Sequence, residues 1–216
     1  EARAAVVTGA GKAFCSGADL SDLMGEYETG GPDLARVIRD RFNPMVEALL
    51  AAPVPTVAAV NGAAAGAGMG LALACDLRVM ARSARIYVPE VERGMNMSWG
   101  SIPRFTALVC PARAKRIAAL CERIDAATAL DWGLADAVCD DGEALASARA
   151  MAARAAALPP TAMKMVKHDV NIAAHALARA TAHRDFDAFA LTERSADFRE
   201  GVASFLEGRE PRFTGD

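Results

Sequence analysis

Two glycine-rich segments and one carboxylate carry most of the chemistry this sequence offers. The stretch from Asn61 to Gly70 (NGAAAGAGMG) holds no acid, base or nucleophile. Residues this small let backbone approach another group closely, and at a helix start the free N–H groups point outward with partial positive charge. An earlier segment, Val6 to Gly17, ends a short apolar run in a glycine turn. Two backbone donors, one from each segment, could converge on a carbonyl oxygen and hold the charge of an enolate when an α-proton leaves. One such donor is typically worth about 3 to 4 kcal/mol in the transition state. The acid/base candidate is Glu90, which follows Tyr87-Val88-Pro89. Beside an apolar cleft, desolvation would raise its pKa and suit it to moving protons. In an ordinary strand end, Pro-Glu is a solvated turn.

Taken alone, Val6 to Gly17 also invites nucleotide readings, and each meets an obstacle. A G-x-G-x-x-G fingerprint fails at Phe14. A phosphate-cradling loop needs four residues before Gly-Lys, and Gly9 to Gly11-Lys12 leaves one. The short-chain dehydrogenase variant would need glycines where Ala13 and Cys15 stand. A tight strand-to-helix turn would account for the same residues. Five scattered cysteines (Cys15, Cys75, Cys110, Cys121, Cys139) without CxxC spacing point away from a disulfide framework or zinc, and toward a reducing cytoplasmic setting. His168, His175 and His183 fall seven and eight residues apart, roughly 10 to 12 Å along a helix, too far to share one metal.

The elements that must position these groups follow from periodicity. Ala4 to Val7 and Thr56 to Val60 read as buried strands, as do Leu77 to Met80, Ile86 to Val88 and Leu134 to Cys139. Leu34 to Ala51 reads as an amphipathic helix with a kink or new start at Pro44. Gly25 to Asp33 is a loop by composition, and Gly94 to Gly100 a second one. A buried helix is expected at Leu71 to Ala74, helices over Ser101 to Leu120 and Ala126 to Trp132, and an Ala-rich helix from Ala144 to Ala157. Helix then runs to Arg209, giving one α/β unit with a helical C-terminal extension. The chain has 216 residues and is 53% hydrophobic, enough for one filled core. A net charge of −3 without a dense basic run leaves no footprint for nucleic acid. No apolar stretch has membrane-spanning length, since glycines and Asn61 break the run from Thr56 to Ala74.

Here a resemblance becomes specific. Thr8 to Leu20 (TGAGKAFCSGADL) resembles the first signature of the crotonase, or enoyl-CoA hydratase/isomerase, superfamily. Ala58 to Gly62, Gly66 to Gly68 and Leu71 to Arg78 resemble its second. Ala129 to Asp136 and Glu200 to Pro211 match in order and spacing. The resemblance implies a crotonase-like spiral of ββα units over residues 1–140 and a helical region over 141–216 that builds trimers or paired trimers. It also implies strands and a helix ahead of the opening run, which supply some ribose and adenine contacts. By the same resemblance, the amides of Ala18 and Ala67 are the oxyanion donors, with Gly17, Asp19, Gly66 and Gly68 beside them in the substrate-binding set. Ala67 replaces the usual glycine but keeps its N–H, provided φ stays negative.

The resemblance also implies two glutamates in a hydratase. The second is Glu90; the first position is Gly70, which has no carboxylate. One base that takes and returns a proton suits double-bond isomerisation, although hydroxycinnamoyl-CoA hydratase-lyases hydrate with one glutamate. Glu92 is a conceivable substitute. Met95, Met97 and Trp99 would line the acyl pocket or cover the core, and Ser98 would hold a water. Lys167 and Arg209 match basic positions near CoA phosphates. The expected activity is a lyase or isomerase acting on acyl-CoA, with no metal and no cofactor beyond the CoA of the substrate. The rival is a catalytically silent acyl-CoA-binding subunit, with a nicotinamide oxidoreductase a distant third.

Overall fold

Strands here come in pairs that do not pair with each other. The computed structural model describes residues 2–21 and 34–216, and for 177–183 only the backbone. The expected loop from Gly25 to Asp33 lies outside the described residues, as does the side chain of His183. The strands are β1 (Ala5–Thr8), β2 (Ala13–Cys15), β3 (Thr56–Val60), β4 (Ala63–Ala65), β5 (Leu77–Ala81), β6 (Arg85–Tyr87), β7 (Ile124–Asp125) and β8 (Ala137–Cys139). They form two four-stranded sheets in the orders β1-β3-β5-β8 and β2-β4-β6-β7. Among the described residues, β6 and β7 pair antiparallel and the other pairs are parallel. A parallel neighbour needs a crossover. Each crossover within the first sheet visits the second sheet and passes through a helix before returning, which is the expected α/β spiral of ββα units.

The helices are α1 (Leu34–Val37), α2 (Asn43–Leu50), α3 (Ala67–Ala74), α4 (Ser101–Ala118), α5 (Ala126–Trp132), α6 (Ala144–Ala156), α7 (Pro160–Thr192) and α8 (Ala196–Glu207). A π-turn over Ile38–Phe42 joins α1 to α2, with the Asn43 amide donating to the Ile38 carbonyl. Pro44 has no N–H to continue an α-ladder, so the chain widens by one residue ahead of it. In α4 the break falls at Cys110, where φ is 71° just before Pro111. Three of the described strands, β2, β4 and β7, escaped the sequence reading. β4 is three alanines without a β-branched residue, and β7 is two residues long. Helix α3 starts four residues before the expected Leu71, because its first turn is built from glycine and alanine.

Every residue of β3 is buried, as suits a central strand covered on both faces. Helix α6 lies across β1, β3 and β5 and closes the first sheet. Buried Arg78 donates from Nε to the Leu134 carbonyl at 2.7 Å and from a terminal nitrogen to the Cys75 carbonyl at 2.8 Å. It ties the end of α3 to the segment before β8. Among the described residues no helix is long and apolar enough to cross a membrane.

Candidate active site

The two glycine segments meet because Asn61 stitches them together. Its Oδ1 accepts from the Gly9 amide at 3.1 Å, and its Nδ2 donates to the carbonyls of Gly11 and Ala13 at 3.1 and 3.3 Å. The contact is too close for side chains. A Cβ on Gly62 would fall 2.0 Å from the Lys12 carbonyl oxygen, and one on Gly68 would fall 2.2 Å from that of Cys15. Beyond this seam the chain turns at Gly17, where φ is 94°. The point a Gly17 Cβ would occupy lies 3.6 Å from the Ala67 nitrogen. Standard backbone dimensions then hold the Ala18 nitrogen within roughly 7 Å of the Ala67 nitrogen. An acceptor shared by both amides needs the two nitrogens within about 6 Å of each other, a separation this bound allows. Ala67 opens α3 with negative φ, and its N–H belongs to the turn that has no acceptor within its own helix.

Glu90 meets the same helix start. Its Oε1 lies 3.0 Å from the point where a Gly66 Cβ would sit. Gly66 has φ 50° and ψ −120°, and its amide donates to the Tyr87 carbonyl at 2.9 Å. That bond fastens the head of α3 to the end of β6, three residues before Glu90. The residue as a whole is half-buried, but Oε2 is closed off from solvent and has no hydrogen-bond partner. Desolvation therefore dominates and pushes the carboxyl up to about 7, against the weaker pull of its own backbone amide and of Arg93. A carboxyl poised there is half ionised near neutral pH and can both take and return a proton.

One turn further along α3, Gly70 faces a second group of side chains. A Cβ there would lie 3.4 Å from the Ser101 Oγ and 3.5 Å from Cε3 of the Trp99 ring. Trp99 has φ 68° and stacks on Phe42 with ring centroids 5.3 Å apart. Its strained backbone is held by the buried Arg104 guanidinium, which donates to the Trp99 carbonyl, and by Asp185 of α7, which accepts from the Gly100 amide at 2.6 Å. Sequence reasoning missed Ser101, Arg104 and Asp185. Ser101 reads as an ordinary helix-start serine, and the other two lie on helices whose periodicity says nothing of a loop they clamp.

The remaining candidates are placed differently. Ser98 is buried with Met97 in the loop ahead of α4, where its carbonyl accepts from the Ser101 amide at 3.2 Å. Asp19 accepts from the Ser21 amide at 3.0 Å. Glu92 lies in a 3-10 turn (Val91–Arg93), and its carboxylate accepts from the Tyr87 hydroxyl. Lys167 donates from Nζ to the Val54 carbonyl at 2.9 Å and pairs with Asp76 at 2.8 Å. Its ammonium is engaged within the fold. Arg209 binds Glu200 through both terminal nitrogens, at 2.6 and 2.8 Å, and holds that carboxyl down to about 2. It lines a C-terminal cavity of about 950 Å³ that shares no residue with the surroundings of Glu90.

Known proteins repeat this arrangement of chain. Residues 1–216 match the family model described as enoyl-CoA hydratase/isomerase. The 1,2-epoxyphenylacetyl-CoA isomerase of Escherichia coli is 35% identical over 99% of this chain and 81% of its own. A probable enoyl-CoA hydratase of Rhodobacter capsulatus is 39% identical over 100% of this chain and 82% of its own. Among solved structures, an enoyl-CoA hydratase from Mycobacterium avium subsp. paratuberculosis superposes with a TM-score of 0.85 at 32% identity, covering 98% of this chain and 80% of that one. An enoyl-CoA hydratase/isomerase from Pseudoalteromonas atlantica gives the same score and identity, over 98% and 82%. With the whole length matched and the spiral of paired strands in place, this chain is an enzyme fold of the crotonase kind and belongs to the enoyl-CoA hydratase/isomerase family.

Proposed function

We propose that this enzyme shifts a proton on an acyl-CoA thioester through an enolate, with Glu90 as its single acid/base. The thioester oxygen accepts from the amides of Ala18 and Ala67. The Glu90 carboxylate takes a proton from C2 of a 3-enoyl thioester, and the C–H electron pair enters a dienolate whose charge rests on that oxygen. The carboxyl then returns the proton to C4 and the double bond settles between C2 and C3. No atoms are gained or lost, so one carboxyl suffices. The observation that carries this reading is the Glu90 carboxyl, with its Oε2 buried and unpartnered and its Oε1 against the Gly66 backbone at the head of α3.

Gly70 favours isomerisation over a two-carboxylate hydration, because it offers no second acid. CoA carried by the substrate is the only cofactor this chemistry requires. For assembly, the exposed apolar side chains of α7 (Met165, Val166, Val170) suit contact with further copies, in a trimer or paired trimers.

Turnover of 3-enoyl-CoA and of crotonyl-CoA tests the reading. Glu90→Gln should abolish conversion while acyl-CoA still binds. Ala67→Pro deletes one donor N–H at a helix position that accepts proline, and should lower kcat roughly 100-fold or more. Binding of acyl-CoA without turnover of either substrate by the wild type would favour the silent subunit instead.

A further inference from the structure

Two buried polar atoms on one short turn lack hydrogen-bond partners, and they belong to side chains of opposite charge. Glu90 caps the 3-10 turn Val91–Arg93. Its Oε2 is closed off and unpaired, and so is Nε of Arg93, three residues on. One end of the Arg93 guanidinium is already engaged. Its Nη1 pairs with the Glu92 carboxylate at 3.6 Å, and its Cζ lies 4.1 Å from the centre of the Phe205 ring of α8. The side chain is 13% exposed, so salt and water screen its charge weakly. A buried donor left unpaired costs free energy, and an unpaired carboxylate costs more. Each atom is what the other lacks once Glu90 gives up its proton.

The backbone keeps this pair in place. The Glu90 carbonyl accepts from the amides of Arg93 and Met95 at 3.0 and 2.8 Å. Helix α8 presses on the turn where side chains are missing. A Cβ on Gly94 would fall 2.5 Å from the Asp197 carbonyl oxygen, and one on Gly201 would fall 2.5 Å from the Arg93 carbonyl carbon. On the other side, Glu92 accepts from the Tyr87 hydroxyl, and the Tyr87 carbonyl accepts from the Gly66 amide at the head of α3. Among the described residues no other cation acts on Glu90. Helix α3 has no ionisable side chain, and Arg123 lies over the Tyr87 ring at 4.6 Å. Cys121, ahead of β7, is pushed up mainly by burial and in small part by Glu90. On α8, Asp197 accepts from the Thr214 and Gly215 amides, and Glu200 is bound by Arg209.

We propose that Arg93 is the positioning residue of Glu90: held against Phe205 of α8, its guanidinium is the counter-charge that orients and settles the Glu90 carboxylate when its proton leaves. The proposal rests on Glu90 as the acid/base. It adds that the C-terminal helix, through Phe205, governs how readily that base forms. Arg93 touches no reacting atom and moves no proton.

The test reads the ionisation midpoint of Glu90 in two ways on the full chain. One is kcat/KM for 3-enoyl-CoA against pH. The other is carbon-13 NMR of labelled glutamate carboxyls, where the Glu90 resonance is the one missing from Glu90→Gln. Arg93→Met keeps a long apolar stem on Phe205 and drops the charge, so the midpoint should rise by roughly half a unit or more in both readouts. Arg93→Lys keeps the charge and should stay within about 0.2 unit of the parent. Phe205→Leu, at a half-exposed ring, releases the guanidinium toward solvent and should raise the midpoint as well, which carries the test should Arg93→Met not fold. A merely structural Arg93 would alter the thermal midpoint and leave both pH profiles in place, and that result overturns the proposal. An equal rise in Arg93→Met and Arg93→Lys overturns it too. A resonance that moves as expected in a protein that turns over no acyl-CoA sinks the acid/base reading of Glu90 and leaves its pairing with Arg93 standing.

Discussion

At the scale of single residues, the proposed role of Glu90 ties pH to both activity and stability. Burial raises its pKa from 4.5 to about 7 in the folded chain. A carboxyl raised in this way favours the fold when protonated. That contribution is complete below about pH 4.5 and is lost as pH climbs through about 7. Glu90→Gln keeps the shape of the protonated group and never ionises. Chemical unfolding should find the two proteins alike near pH 5 and the variant more stable near pH 9, by roughly 3 kcal/mol at most. On the proposed mechanism activity runs the opposite way, because only the carboxylate would take the C2 proton. The wild-type kcat/KM should therefore rise with pH along a single ionisation near 7. A profile that is flat from about pH 5 to 9 would remove Glu90 from the proton transfer.

At the scale of elements, α3 carries the site, and its glycines are not interchangeable. A methyl at Gly68 would fall 2.2 Å from the Cys15 carbonyl oxygen and 2.7 Å from the Cys15 Cβ, forcing β2 away from the helix. That movement would carry the Gly17 turn and the Ala18 amide away from Ala67. Gly68→Ala should cost about 2 to 3 kcal/mol in denaturant melts and remove activity with it. Gly70→Ala, with its nearest atom at 3.4 Å, should change stability by less than about 1 kcal/mol. The sequence made much of this element readable. The run of small residues, Asn61 as a turn and Glu90 after a strand end were all visible, because they are local and their residue types are restrictive. The start of α3 at Ala67 was not, since glycine and alanine suit a turn, a strand or a helix alike. Nor could periodicity show that Ser101 faces Gly70, or that Glu92 turns toward Tyr87, because those facts depend on how a 3-10 turn and the Trp99 loop settle against other elements.

At the scale of the whole molecule, the first half supplies the candidate site and α7 braces it from behind. Asp185 reaches the Gly100 amide, Asn171 donates to the Leu50 carbonyl at 3.3 Å, and Lys167 joins Val54 to Asp76. Asp76 in turn accepts from the amide and hydroxyl of Thr56 at 2.7 and 2.8 Å, so Lys167 closes a network at the foot of β3. Family resemblance alone would assign this lysine to CoA phosphates. The geometry assigns it to the seam between α7 and the sheet, where its side chain is 8% exposed. These two roles predict different failures. A phosphate ligand, once removed, would raise the KM for acyl-CoA and flatten its salt dependence, with stability hardly touched. A buried tie would leave KM within about twofold and destabilise the fold by about 3 kcal/mol, because Asp76 keeps a charge with less to compensate it. Lys167→Ala, followed by thermal melts and by KM at low and high salt, separates them, and the network at β3 predicts the loss of stability with KM unchanged.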